Sequence, residues 1–507
     1  MLSRCYTVAF NGLQTIDIEV QVQLSAGMPT FTIVGLPDKA VAESRERIRA
    51  ALFSLGIKLP PKRITVNLAP ADIVKEGTHY DLPLALGILS GMGIVDQKSL
   101  ASYVVLGELG LDGKIVRVNG VLPAAVMAQK SNKGLICPAE QGKEAVCAGG
   151  KDIVPAASLE ELINFLHGNL KIEAPEEDVF DLAYSSLDMR DVKGQESAKR
   201  ALEIAAAGGH NVIMVGPPGS GKSMLAARLP SILPPMNRQE ALETSMIASI
   251  AGELKGQGLI VERPFRAPHH SASTPALVGG GRPARPGDIS LANNGILFLD
   301  ELPEFARSTL EALRQPLETG KINISRVNSH IEFPAKIQLI AAMNPCRCGY
   351  LGNPARECAR APRCAQEYQS KISGPLLDRI DIQIEVPAVS PWDMASAPEG
   401  EHSEEIRKRV IAARKIQYER NCEMGCPELY TNSELNGEFL EKATVMDSEA
   451  KALLVGYADK TKLSARGYNR TLRLARTIAD LQNENILRRI HIAEALSLRW
   501  KVPDYKF

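Results

Sequence analysis

The residues Gly216-Pro217-Pro218-Gly219-Ser220-Gly221-Lys222-Ser223 have the G-x-x-x-x-G-K-S spacing that cradles phosphate. The glycines let consecutive backbone N–H groups curl around phosphate oxygens, and a helix expected over Met224–Leu229 adds its dipole. That chemistry assigns ATP to the loop, with Lys222 reaching the β- and γ-phosphates and Ser223 ligating Mg²⁺. Further on, Ile296-Leu297-Phe298-Leu299 runs into Asp300-Glu301. Asp300 is suited to the Mg²⁺ shell and Glu301 to activating the attacking water. Asn344 ends a third apolar run, 337–343. Its amide could orient that water or sense the γ-phosphate, and an amide there is equally a strand-end cap.

A second chemistry is carried by sulfur. Cys346-x-Cys348-x₉-Cys358-x₅-Cys364 offers four thiols, enough for a closed tetrahedral Zn²⁺ site. The Gly/Pro/Arg-rich stretch 350–363 has no apolar stripe, so a metal would supply its organisation. Unligated cytosolic thiols are the alternative. Cys422 and Cys426 alone make too weak a pair for a role. Between the phosphate loop and Asn344, Arg263, Arg266, His269, His270, Arg282 and Arg285 interleave with glycine and proline. The histidine pair could instead take a metal.

The elements that must position these groups follow from periodicity. Asn211–Val215 is a buried strand feeding the loop, and Ile296–Leu299 and 337–343 are its expected neighbours. Upstream, strands are expected over Ile16–Leu24, Phe31–Val34, Ile64–Leu68, Val104–Leu109 and Gly134–Pro138. Helices are expected over Ala40–Leu55 and Leu82–Leu89, and downstream over 403–420, 447–458, 465–482 and 491–500. Gly320–Phe333 reads as a hairpin turning near Arg326-Val327-Asn328, with Lys321 on its first strand. The whole is α/β and multidomain: 1–168, an acidic linker 169–185, 186–389 and 390–507. The chain of 507 residues, 45% hydrophobic and 23% charged, suits about three globular domains and excludes bulk disorder or a fibre. With 59 acids against 59 Lys and Arg, any polyanion site must be local. Residues 461–500, with eight Lys/Arg against three acids, are one such concentration. The start lacks a signal-peptide core, and no apolar stretch spans a bilayer, so a cytoplasmic protein off the membrane is expected.

The three phosphate-site motifs together resemble an AAA+ ATPase. Leu376-Leu377-Asp378-Arg379-Ile380-Asp381 is similar to the segment holding the arginine finger in the MCM and magnesium-chelatase branch, which points to Arg379. Ser464-Ala465-Arg466-Gly467 resembles that branch's sensor-2 segment, with Arg466 as first candidate and Arg470 as fallback. An isolated Arg is as readily a surface ion-pair partner. More specific strings, FTIVGLPD from Phe31, RAPHHS from Arg266, NPCRCG from Asn344 and ARTIADL from Ala475, resemble the ComM/YifB family of magnesium-chelatase-like proteins. That resemblance implies a ring-shaped, hexameric ATP-driven DNA motor that drives branch migration in recombination of transforming DNA. It further implies single-stranded or branched DNA and a recombinase as partners. Insertions of the MCM-like branch line a central pore, which would place Lys321, Arg326, Arg282 and Arg285 on DNA.

The family's N-terminal domain is similar to the Lon protease domain, and its C-terminal part to a helical lid. Lys75-Glu76-Gly77-Thr78-His79-Tyr80-Asp81 stands where the Lon nucleophile belongs and has no Ser; Pro123 stands in place of the catalytic Lys. A non-proteolytic scaffold is expected. The competing reading is a chelatase-like ATPase that remodels a partner for metal insertion into a tetrapyrrole.

Overall fold

The computed structural model describes residues 2–150, 152–177, 180, 184–255, 258–281, 284–326, 329–351, 358, 360–389 and 398–499, with backbone alone at 325, 326, 329 and 330. Arg282 and the side chain of Arg326 therefore lie outside the described residues.

The N-terminal unit is a seven-stranded sheet in the spatial order Thr30–Val34, Arg63–Ala69, Gln14–Ser25, Leu2–Asn11, Tyr103–Val105, Gly134–Pro138, Ile153–Ala156. Its centre is antiparallel and its flanks parallel. Helix Asp81–Gly91, buried over 81–90, covers one face. Three details depart from the sequence pattern. The strand at Phe31 lies on the sheet edge with only Phe31 buried. The expected strand 104–109 breaks at Leu106-Gly107, and Glu108–Leu109 pairs instead with Ile115–Val116. Leu2–Asn11 is a central strand that hydrophobic alternation does not announce. Its buried face is Ser3, Cys5, Thr7 and Ala9, because Ser3 Oγ donates to Gly87 O at 2.7 Å and small residues admit the helix.

The second unit is an all-parallel sheet in the order Phe265–Arg266, Ile296–Leu299, Gln338–Met343, Val212–Val215, Ile382–Glu385. Every residue of its three central strands is buried, as expected for a parallel sheet covered on both faces. Val212, Met214, Ile296, Phe298 and Ile340 enter one core, and their sequence neighbours Ile213, Val215, Leu297 and Leu299 enter the other. The first core also takes in Ile406, Val410, Leu435, Leu474 and Ile478 from the C-terminal helices Ser403–Glu423 and Ala465–Leu481 and the turn between them. The helical region thus shares one apolar core with the sheet.

Four of the eight basic residues in 461–500 are spent inside the fold. Arg476, 2% exposed, and Arg420 both bond Asp480, at 3.0 and 2.7 Å. Arg499 donates to Gly467 O at 2.6 Å, Arg473 to Leu435 O at 2.7 Å, and Arg470 to Ile380 O at 3.0 Å. Similarly, Arg263 is a staple rather than a free loop cation. It donates to Pro234 O and Asn294 O, both at 2.6 Å, and to Glu240. No helix among the described residues is long and apolar enough to cross a membrane.

Candidate active site

The carboxyl ends of the parallel strands assemble the site. The strand Val212–Val215 turns into the phosphate loop, and helix Lys222–Ile232 begins directly after it. Gly219 and Gly221 have φ of +76° and +89°, the left-handed region that suits glycine and lets the loop curl. Lys222 is buried, its Nζ donating to Gly216 O at 2.8 Å, Pro217 O at 2.9 Å and Asn344 Oδ1 at 3.3 Å. Burial pushes its pKa down, opposed by the charges of Asp300 and Glu301. Ser223 Oγ donates to Asp300 Oδ2 at 2.8 Å. The strand of Asn344 lies between the loop strand and that of Asp300, so all three motifs meet in one cleft of about 380 Å³. Hydroxyl and carboxylate are adjacent as an Mg²⁺ shell requires, and Lys222 sits where phosphate charge would be met.

Glu301 stands just beyond its strand with φ +50°, a strained value for a residue with a side chain. Its Oε2 is 3.4 Å from His270 Nδ1. Sequence reasoning placed His270 among the basic loop residues and missed this contact. The signal was the sheet register: Arg266 pairs with Leu297, and carrying that register forward brings His270 opposite Glu301.

Arg379 and Arg466 are not in this cleft. They line a larger one of about 810 Å³ around Asn211 and Asp381, at the amino ends of the same strands. Arg379 pairs with Glu318 and donates to Pro375 O at 2.7 Å. Arg470 is buried and holds Asp378 Oδ1 at 2.9 Å, whereas Arg466 is 68% exposed and 3.9 Å from Asp378. The exposed Arg466, not its fallback, is the one with reach. Lys321 pairs with Glu332 at 2.9 Å across the hairpin Lys321–Arg326/Ser329–Pro334, and Arg285 is exposed in a two-residue strand.

The four cysteines converge. One sulfur from each of Cys346, Cys348, Cys358 and Cys364 lies within 4.8 Å of the others. A tetrahedral Zn²⁺ with Zn–S near 2.3 Å needs sulfurs about 3.8 Å apart, so the donor set fits that ion. The cluster follows directly on Asn344. A side chain on Gly349 would meet the ring of Pro218 in the phosphate loop at 2.6 Å, so insert and loop are packed together.

Comparison with known proteins matches all three parts. A family profile described as magnesium chelatase, subunit ChlI, covers residues 188–394. Those described as subunit ChlI of Mg-chelatase and as its C-terminal part cover residues 20–141 and 400–499. Competence protein ComM of Haemophilus influenzae is 44% identical over 505 residues, 98% of this chain and 97% of that protein. YifB of Escherichia coli is 41% identical over 500 residues, 98% of this chain and 97% of that protein. The chain belongs to the ComM/YifB family. The magnesium-chelatase 67 kDa subunit of Heliobacterium mobile is a more distant relative, 24% identical over 46% of this chain and 38% of that protein. The ComM/YifB chain is thus an AAA+ ATPase-like protein, and its cleft has the parts for nucleotide and Mg²⁺.

Proposed function

We propose that this protein is a ring-forming, ATP-driven DNA translocase of helicase type that promotes branch migration in homologous recombination of transforming DNA. The observation that carries the ATPase half is the meeting of Lys222, Ser223, Asp300, Glu301 and Asn344 in one cleft. Lys222 meets the charge of the β- and γ-phosphates, and Ser223 and Asp300 would hold Mg²⁺, which would supply further charge neutralisation there. Glu301 polarises the attacking water, and Asn344 orients it beside the γ-phosphate. Arg379 and Arg466 lie at the other end of strands about 13 Å long, so they serve a neighbouring chain's nucleotide, which calls for a homo-oligomer of hexameric type. Cys346, Cys348, Cys358 and Cys364 would hold Zn²⁺, which would fix the chain leaving Asn344. Support for DNA comes from the similarity to a competence protein along the full chain. Lys321, Arg326, Arg282 and Arg285 are the proposed phosphate contacts on single-stranded or branched DNA in the pore, with a recombinase as partner and the cytoplasm as location.

The test is ATP turnover with and without branched DNA, together with movement of a synthetic four-way junction. DNA stimulation and junction movement are expected, both falling steeply with salt. In Arg285→Ala and Lys321→Ala, basal turnover should persist while stimulation falls. A protein that neither binds DNA nor responds to it belongs to the chelatase-like reading, partner remodelling for metal insertion into a tetrapyrrole, which the three ChlI profiles favour.

A further inference from the structure

His210 precedes the strand Val212–Val215, at the end opposite the phosphate loop, and is wholly buried. Both of its ring nitrogens are engaged. Nδ1 stands 3.1 Å from Asp381 Oδ2, and since a carboxylate only accepts, Nδ1 carries the proton. Nε2 meets Thr477 Oγ1 at 2.9 Å. Thr477 belongs to the string ARTIADL on the helix Ala465–Leu481, and its hydroxyl also accepts from Asn432 Nδ2 at 3.0 Å. The packing is tight enough that a Cβ on Gly208 would collide with His210 Nε2 and Thr477 Oγ1 alike.

The turn gripped through Asp381 is the one that carries Arg379. Asn211, next to His210, donates from Nδ2 to Arg379 O at 2.9 Å. Its carbonyl accepts from the N–H groups of Asp381 at 3.1 Å and Ile382 at 3.0 Å. From the helical region, Arg470 donates to Leu377 O at 3.2 Å, to Ile380 O at 3.0 Å and to Asp378 Oδ1 at 2.9 Å. The backbone of 377–382 is thus pinned on one side by the start of the loop strand and on the other by the helix of Thr477.

We propose that His210 is a positioning residue for Arg379: Thr477 fixes the imidazole, the imidazole fixes Asp381, and the turn then presents Arg379 to a neighbouring chain's nucleotide in one place. This rests on the reading of Arg379 as a finger in trans. A finger acts only where its guanidinium reaches the transferring phosphoryl group, and a displacement of about 1 Å can cost on the order of a hundredfold in rate. The strand after His210 ends in the phosphate loop and pairs with Ile382–Glu385 directly after the turn. One rigid element therefore joins a chain's own nucleotide site to the arginine it lends its neighbour.

The test is steady-state ATP hydrolysis by the full-length protein, alone and in mixed rings. His210→Gln, whose amide falls near Nε2 and leaves Asp381 without its donor, should lower kcat about tenfold with ATP affinity unchanged. His210→Asn, whose amide nitrogen falls near Nδ1, should recover most of the rate. Mixed with Lys222→Ala protein, which keeps a sound finger, His210→Gln should exceed the average of the two parents. Mixed with Arg379→Ala protein, it should not. In an Arg379→Ala background, His210→Gln should add no further loss. Unchanged turnover in His210→Gln, an Asn variant as impaired as the Gln variant, recovery with Arg379→Ala protein, or additive losses in the double variant each overturn the proposal. Should His210→Gln lose its fold, Thr477→Val, which removes only the hydroxyl contact, goes through the same mixing with the same pattern expected. Arg379→Ala mixed with Lys222→Ala is the control for the underlying reading. If mixed oligomers form there without recovery, the trans finger is lost, and the double variant then tells by itself whether His210 acts through Arg379.

Discussion

At the carboxyl edge of the parallel sheet, Lys222, Asp300 and Glu301 converge on an open cleft, whereas the N-terminal unit seals Lys75, His79, Tyr80 and Asp81 inside. His79 and Tyr80 are buried with rings 4.2 Å apart, and the ring of Phe10 sits 5.4 Å from His79. Burial holds His79 down to about 4 and drives the Tyr80 hydroxyl well above its usual range. Lys75 is buried too, and its ammonium donates to Pro70 O. Pro123 lies in the buried first turn of helix Val121–Lys130. That helix docks on Arg238–Ala251, where Leu122 N donates to Glu144 at 3.2 Å and Ser249 Oγ donates to the same carboxylate. Both units are α/β, yet one aims charge at solvent and the other neutralises or pairs it. Where a fold must do chemistry it leaves strand ends unburied; where it must hold a neighbour in place it fills them.

The sharpest way to break this contrast is at the cleft. Lys222→Ala should abolish nucleotide binding, and Glu301→Gln should keep binding while turnover falls about a thousandfold, read by calorimetry and phosphate release. Normal turnover in Glu301→Gln would show that another group activates the water. Nearly as large an effect is expected at Arg379→Ala, since a finger in trans is worth about 10³-fold. Mixing Arg379→Ala with Lys222→Ala protein should restore part of the activity through mixed rings; mixed oligomers without recovery would return Arg379 to a structural role.

Next in size is the insert. Metal analysis should find about one Zn²⁺ per chain, and Cys346→Ser should release it, because three thiolates leave the tetrahedron open. Folded wild-type protein free of metal would leave the convergence of sulfurs unexplained. The smallest effect belongs to the sealed site. Below about pH 6.5 the unfolded chain protonates His79 while the folded chain resists down to about 4. Stability contributed by the neutral imidazole is therefore full above pH 6.5 and falls through that window, by at most about 3 kcal/mol. In His79→Gln that acid-side loss should shrink, with ATP turnover at neutral pH unchanged, as followed by urea midpoints across pH. A loss of turnover in this variant would mean that the N-terminal site is not merely a scaffold.

Much of the cleft is legible from residues 216–223, 296–301 and 344, because a phosphate loop and strand-end carboxylates are local patterns with local causes. The strand Leu2–Asn11 was not legible, since its inner face is small and polar and is satisfied by a helix some eighty residues away. Nor was the fate of the basic C-terminal segment 461–500. A count of charges does not reveal that Arg470, Arg476 and Arg499 are turned inward onto carbonyls and Asp480.

The sequence by itself determined the phosphate loop, the two carboxylates, the four-thiol donor set and the family. Each is a short string whose chemistry does not depend on what lies across the fold. Only the tertiary structure decided that His270 stands against Glu301, that Arg379 and Arg466 line a second cleft at the opposite ends of the strands, and that Pro218 packs on the turn of Gly349. The reason is the parallel sheet. Its neighbouring strands are far apart in the chain, so which loops meet at each end is set by strand order and register, and neither is written in any single segment.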